Sequence, residues 1–151
     1  MIMTLSVSAI KNGTVIDHIA AGQGLKIMRI LQLTGYQNRM TLGLNLPSSS
    51  LVKKDLIKVE DLDMSLENVG PVAVFAPQAT MNIIDNYTVI KKFQVAVPNL
   101  LSSIFTCPNS RCVSNHEPME SLFHVHMYKP DICLQCRYCR RLFPYHEVQV
   151  K

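Results

Sequence analysis

Four cysteines in the last third of the chain, Cys107, Cys112, Cys136 and Cys139, constrain the fold more than any other feature. Their spacing is C-x4-C, a gap of 23 residues, then C-x2-C. Two short loops of this kind can bring four thiolate sulfurs around one tetrahedral ion. Zinc is the expected metal, because thiolates are soft ligands, and iron in a rubredoxin-like site is the rival. The bland alternative is a set of buried cysteines with no ion. Cys136-Arg137-Tyr138-Cys139 alone also has the spacing of a thioredoxin-type redox motif, but it lacks a βαβ setting and has a partner pair upstream. Cys133 lies outside the pattern and reads as a free, partly buried thiol, and the histidines at 116, 124, 126 and 146 read as ordinary polar residues.

A closed shell of four thiolates leaves no position for water or substrate. The second half of the chain is therefore expected to hold a shape, not to run a reaction. Beyond residue 104 fewer than about 50 residues remain, too few for a self-sufficient core. Structural zinc can supply the difference, with apparent binding energies of ~10–16 kcal/mol in small finger peptides.

The N-terminus, MIMTLSVSAIKNG, has neither a basic n-region nor an A-x-A site, and no apolar run approaches the ~20 residues of a membrane span. A cytoplasmic protein without membrane contact is expected, and in a reducing compartment metal is favoured over disulfides. The formal charge is +4 with the basic residues scattered, and binding a divalent ion through four thiolates lowers it by two. That is too weak to indicate nucleic acid. Arg137, Arg140 and Arg141 near the cysteines keep a zinc-ribbon nucleic-acid-binding or adaptor protein as the alternative reading, without the aromatic and basic stripe such binders use.

All five cysteines and four of the five histidines lie beyond residue 100. Residues 97–103 read as a connector between an N-terminal domain at 1–98 and a zinc domain at 104–151. In the first domain, Thr14 to Ile19 reads as a strand after the Lys11-Asn12-Gly13 turn. Leu25, Ile27, Met28, Ile30 and Leu31 give a helical stripe over 22–34, ending at Gly35. Met40, Leu42, Leu44 and Leu46 alternate, so 39–46 is expected to be a strand with one buried face. Asp55 to Glu60 reads as a further strand. Residues 65–76 are ambiguous: Ser65 suits an N-cap, whereas Gly70-Pro71 breaks a helix. Asn82 to Ile84 and Tyr87 to Ile90 flank Asp85-Asn86 as a tight hairpin. The order βαββ(α)ββ suggests helices on one face of an antiparallel sheet. Beyond the connector, 123–128, 140–143 and 147–150 read as strands.

Asp17, His18, Lys58, Asn82 and Lys92 are each unremarkable alone. Together they offer two ammonium groups and an imidazole for phosphates and a carboxylate for ribose hydroxyls. No Walker loop, G-x-G-x-x-G, catalytic triad or carboxylate pair accompanies them.

Several motifs in order resemble one family over nearly the whole length. They are Ala9-Ile10-Lys11 with Gly13-Thr14-Val15-Ile16-Asp17-His18-Ile19, Gly43-Leu44-Asn45-Leu46-Pro47-Ser48, and Lys54-Asp55-Leu56-Ile57-Lys58. Ala76-Pro77-Gln78-Ala79-Thr80, Ile84-Asp85-Asn86-Tyr87, Cys107-Pro108-Asn109-Ser110 with Cys112, and the Cys136/Cys139 pair followed by Phe143 complete the set. The chain is similar to the regulatory chains of aspartate carbamoyltransferase, an enzyme of pyrimidine synthesis.

The resemblance implies an α+β protein: an N-terminal ferredoxin-like α/β sandwich, with an antiparallel sheet and two helices, plus a small all-β zinc-binding domain with one structural Zn2+. It favours a helix over 65–75. It implies a non-catalytic subunit that binds CTP as inhibitor and ATP as activator, with UTP acting alongside CTP in some members. The implied nucleotide site is Ala9, Ile10, Val15, Asp17, His18, Lys58, Asn82, Ile84, Tyr87, Val89 and Lys92. In it Lys92 and His18 meet the triphosphate and Asp17 the ribose, while Lys58 sits between ribose and phosphate or base. Val15, Ile84 and Val89 pack the base, and backbone groups at Ile10 and Tyr87 read its edge. Lys54 would assist a second nucleotide or its metal.

The implied partners are the catalytic chain, touched through Asn109 and Arg141, and a second regulatory chain, in a dodecamer of two catalytic trimers and three regulatory dimers. The sequence departs from the family pattern at Arg111 and Arg140, where Asn and Glu are expected, and at Ser8, where an acidic residue is expected.

Overall fold

The computed structural model of the chain describes residues 9–64, 69–128 and 131–151. Ser8 and the first part of the helix expected over 65–75, including the Ser65 cap, lie outside the described residues. The chain divides into two compact units, one ending at Ala96 and the other spanning Val97–Lys151.

The first unit is a ferredoxin-like α/β sandwich. Its strands are β1 (Gly13–Ala20), β2 (Met40–Ser48), β3 (Val52–Glu60), β4 (Thr80–Asp85) and β5 (Thr88–Gln94), in the antiparallel order β2-β3-β1-β4-β5. One face carries Ile16, Ile57, Val59, Met81 and Ile83, all buried. Two helices, α1 (Gly24–Ile30) and α2 (Val72–Phe75), supply Ile27, Ile30 and the wholly buried run Val72 to Phe75 to the same core. Lys26 Nζ of α1 sits 4.7 Å from the centre of the Phe75 ring.

Two local devices shape this unit. Helix α1 ends five residues before Gly35, because Gln32 turns left-handed (φ 55). Leu33 N then donates to Met28 O at 2.9 Å and Gln32 N to Arg29 O at 3.0 Å, and Leu33 tucks into the core. The exposed Leu25, read as part of the apolar stripe, points away from it. Strand β1 carries a bulge: Ile16 pairs with Ile57 but Ile19 with Asp55, so Asp17 and His18 together oppose one residue of β3. Ile16 and Ile19 are both fully buried as a result, and Asp17 is left on the opposite side.

Strand β2 is one edge of the sheet, and no residue of it is fully buried. The single buried face expected from its alternation is broken by a second bulge at Leu44 and Asn45. The cause is Asp55, which is fully buried and accepts backbone N–H bonds from Gly22 (3.0 Å), Gly24 (2.8 Å) and Asn45 (2.9 Å). One carboxylate thus ties the start of α1 and the β2 bulge to β3. A Cβ on Gly24 would lie 2.9 Å from Asp55 Oδ2, so that approach needs a residue without one. The β4–β5 hairpin turns at Asn86-Tyr87, one residue later than expected, with φ of 49 and 65. Two left-handed residues match the twist of the strands.

The second unit is all-β. Its main sheet has the order β10-β9-β8-β6, formed by β6 (Leu100–Ser102), β8 (Leu122–Tyr128), β9 (Asp131–Cys136) and β10 (Leu142–Pro144). A second pair joins β7 (Phe105–Thr106) to β11 (Gln149–Val150). The stretch read as a connector enters this unit through β6, and β9 was not anticipated. Arg140 and Arg141 stand in the turn before β10, not in a strand, because Arg140 is left-handed (φ 61). Phe105 and Phe123 meet edge to face at 6.4 Å in the core, beside Leu134.

Removing the Asp55 carboxylate leaves three backbone donors unpaired. Asp55→Ala is expected to cost about 3–5 kcal/mol, and Asp55→Asn less, in denaturant unfolding followed on the first unit.

Candidate functional site

The open face of the first sheet carries a cavity of about 480 Å³. Across four strands one row of that face reads Lys58 (β3), Val15 (β1), Asn82 (β4) and Lys92 (β5), each paired with its neighbour in register. Nine of the eleven residues of the implied nucleotide site line the cavity: Ala9, Ile10, Val15, Asp17, Lys58, Asn82, Ile84, Tyr87 and Val89. His18 and Lys92 do not line it. Lys92 is exposed at the β5 edge, and His18 turns at the β1 bulge, where its Nδ1 lies 3.1 Å from Thr80 Oγ1. Lys54, Leu46, Pro47 and Leu56 also line the cavity. The β2–β3 register brings Leu46 and Pro47 opposite Lys54 and Lys53, a pairing that sequence periodicity does not disclose.

Charge is gathered at one end. Lys54 Nζ lies 2.8 Å from Asp17 Oδ1, and the His18 backbone N–H donates to the same oxygen at 2.7 Å. Burial acts to raise the Asp17 carboxyl, but hydrogen bonds from Lys54 and His18 and their positive charge outweigh it and hold it below the usual range. Burial lowers the Lys58 ammonium, and nearby Asp17 offsets this only in part. An anion entering here would find two ammonium groups, one of them incompletely compensated for its burial. Val15, Ile84, Val89 and Leu56 offer apolar contact beside them. A concave, largely apolar site with a few convergent charges is the usual form of a small-molecule pocket.

In the second unit the sulfurs of Cys107, Cys112, Cys136 and Cys139 all lie within 4.8 Å of one another. Cys107 and Cys139 sulfurs are 3.7 Å apart, and those of Cys112 and Cys136 3.6 Å. A tetrahedral ion with metal–sulfur bonds of ~2.3 Å requires edges of ~3.8 Å, so the set fits. Cys133 is not part of it. The loops are fixed by their own polar groups. Asn115 Nδ2 donates to Cys107 O at 3.0 Å and to Asn109 O at 2.8 Å, and Cys112 N donates to Asn109 O at 2.9 Å.

The thiols are driven apart. Burial pushes Cys107 and Cys136 up, against N–H bonds from Asn109 and from Cys139 and Tyr138 respectively. Burial also acts to raise Cys112, but the Ser114 hydroxyl and backbone, then the neighbouring thiols, bring it down to about 7. A divalent cation resolves the conflict by stabilising all four as thiolates.

Comparisons with known proteins cover both units. A family model described as the allosteric domain of the aspartate carbamoyltransferase regulatory chain matches residues 5–96, and one described as its metal-binding domain matches 100–149. The chain belongs to the family of aspartate carbamoyltransferase regulatory chains. It is 48% identical over 144 residues to the regulatory chain of Proteus mirabilis (strain HI4320), covering 95% of each. It is 47% identical over 140 residues to that of Chromobacterium violaceum, covering 93% of this chain and 92% of the relative. The family is one of non-catalytic regulatory subunits. Among the described residues no helix is long and apolar enough to cross a membrane.

The Asp17–Lys54 pair can be tested directly. Carbon NMR titration of Asp17 is expected to give a pKa below the ordinary carboxylate value, and Lys54→Ala should return it toward that value. The sign follows from the depressed pKa: ionised Asp17 contributes stability above its unfolded pKa of ~3.9, and this is lost as pH falls through the lower folded value.

Proposed function

We propose that the cavity on the open face of the first unit binds CTP and ATP in competition, with CTP the inhibitor and ATP the activator, and that UTP can act beside CTP. The observation that carries this reading is the convergence of nine site residues from β1, β3, β4, β5, the β4–β5 turn and the segment preceding β1 on one cavity with lysines and a carboxylate at one end. Lys58 sits between ribose and phosphate or base, Lys54 assists a second nucleotide or its metal, and Lys92 and His18 reach in from the rim to the triphosphate. Asp17 accepts from ribose hydroxyls, and Val15, Ile84 and Val89 pack the base. Binding then favours one of two quaternary states, to the extent that affinity differs between them.

In the same reading the four cysteines hold one Zn2+, favoured by the soft, closed donor set. When bound, that ion supplies structure and not chemistry. The second unit docks on the catalytic chain of aspartate carbamoyltransferase, with Asn109 and Arg141 as contacts, and the first unit pairs with another regulatory chain. The complete assembly is a cytoplasmic dodecamer of two catalytic trimers and three regulatory dimers, acting in pyrimidine biosynthesis.

Metal analysis and calorimetry on one preparation test both halves. One zinc per chain, and CTP binding that ATP competes away, are expected. Lys58→Ala and Lys92→Ala should each weaken binding by about 10–100-fold, the loss of one charge-assisted contact. Unchanged affinity in both would remove the proposed phosphate contacts.

Taking the sulfurs with a mercurial should unfold the second unit and separate the chain from its catalytic partner, while circular dichroism retains the sheet of the first. A treated complex that stays assembled in analytical ultracentrifugation would overturn the structural role given to zinc.

A further inference from the structure

A divalent ion held by four thiolates carries a net charge of two negative units, and Cys107, Cys112 and Cys136 are all buried. Burying uncompensated charge is costly, so cations near such a cluster strengthen it. A cavity of about 370 Å³ is lined by His124, Gln135, Cys136, Arg137 and Arg140, with no carboxylate among them. Among the described residues neither arginine takes part in an ion pair.

The backbone that carries both arginines is pinned. Arg137 N donates to Leu122 O at 2.9 Å, Arg140 N to Cys136 O at 2.9 Å, and Cys136 N to Arg141 O at 3.0 Å. Gln135 Nε2 donates to Arg140 O at 3.1 Å, and its Oε1 lies 2.9 Å from His126 Nε2. Gln135 therefore clamps the turn in which Arg140 adopts its left-handed φ of 61. Two arginines, both exposed, are thus anchored by their backbone beside buried Cys136, and among the described residues no carboxylate pairs with either.

We infer that Arg137 and Arg140 are the charge-compensating residues of the thiolate–metal cluster, and that they set how tightly this chain retains its ion. This rests on the metal reading above. Neither residue is a ligand; they act through the field at the sulfurs. Arg141, outside the cavity, is not assigned that role.

The test is zinc competition between the full-length chain and a chromophoric chelator, for Arg140→Lys, Arg140→Gln, Arg140→Glu and the Arg137→Gln/Arg140→Gln double variant. None of these side chains is β-branched, so the left-handed backbone costs are similar across the series. Arg29→Glu, on the exposed surface of α1 in the other unit, matches the two-unit net-charge change of Arg140→Glu.

Charge compensation requires Lys to stay within about threefold of wild type, Gln to be weaker, and Glu and the double variant to lose about tenfold or more. The gap should shrink as salt rises from ~0.1 to ~1 M and the screening length falls from ~10 to ~3 Å. Equal affinities across the series overturn the inference. So does an Arg140→Lys chain as weak as Arg140→Glu, because shape and not charge would then be at work, or an equal loss in Arg29→Glu. If Arg140→Glu does not fold, the Lys-to-Gln step and the double variant still decide it. A wild-type chain that holds no zinc overturns the metal reading, and this inference with it; zinc retained with no graded loss overturns this inference alone.

Discussion

The second unit depends on one constraint: four sulfurs from two loops must come within a few ångströms of each other. Its strands are short, two to seven residues, and its core rests on few large side chains, with Phe105, Phe123 and Leu134 at the centre. Three of the four cysteines are themselves core residues. The cluster and the hydrophobic core are therefore one object. Phe123 pairs with Cys136 across β8 and β9, so the strand that supplies the aromatic anchor also positions a ligand. Neither half of that arrangement is sufficient for about 50 residues, which is the size range in which a cross-link or an ion is generally required.

The first unit solves a different problem, since it must keep charge on one side of a sheet whose other side is packed with helices. Alternation alone would do this for straight strands. The two bulges modify it where the site lies. At Asp17-His18 the extra residue keeps Ile16 and Ile19 both in the core while leaving Asp17 free to meet Lys54. At Leu44-Asn45 the extra residue lets Asn45 N reach Asp55. A buried carboxylate with three backbone donors is an expensive feature with a local purpose. It fixes the course of β2, and β2 supplies Leu46 and Pro47 to the wall of the cavity.

These devices explain what was legible in the sequence. The four-cysteine cluster was readable outright, because cysteine chemistry and spacing specify one geometry. The succession of elements in the first unit, βαββ(α)ββ, followed from periodicity, and Asp17, Lys58 and Asn82 could be grouped because their side chains suit one ligand class. What could not be read were features set by tertiary contact. Leu44 belongs to a clean alternation but is exposed, since the bulge held by Asp55 moves it off register. Leu25 fits a helical stripe but lies on its open side. The end of α1 was misplaced because a glutamine, not the following glycine, takes the left-handed position. Strand β9 hid its alternation in plain view: Ile132, Leu134 and Cys136 are buried, but in the sequence the cysteines read as chemistry and not as core. Strands of two or three residues, such as β6 and β7, carry no period to detect.

An allosteric site acts on another chain by binding unequally to two of its states. The charges in this cavity are suited to that task because they are already engaged. Asp17 holds Lys54, so under the proposed nucleotide reading a phosphate that recruited Lys54 would exchange one ion pair for another. The net gain is then a difference between two contacts of similar strength, and it is sensitive to small shifts of the strands that carry them. Coupling free energies between sites are themselves ~1–3 kcal/mol. A site of isolated, fully solvated lysines would bind an anion with little regard to the position of β1 relative to β3. With β1 providing the carboxylate and β3 both lysines, the affinity of the proposed nucleotide site would depend on that register.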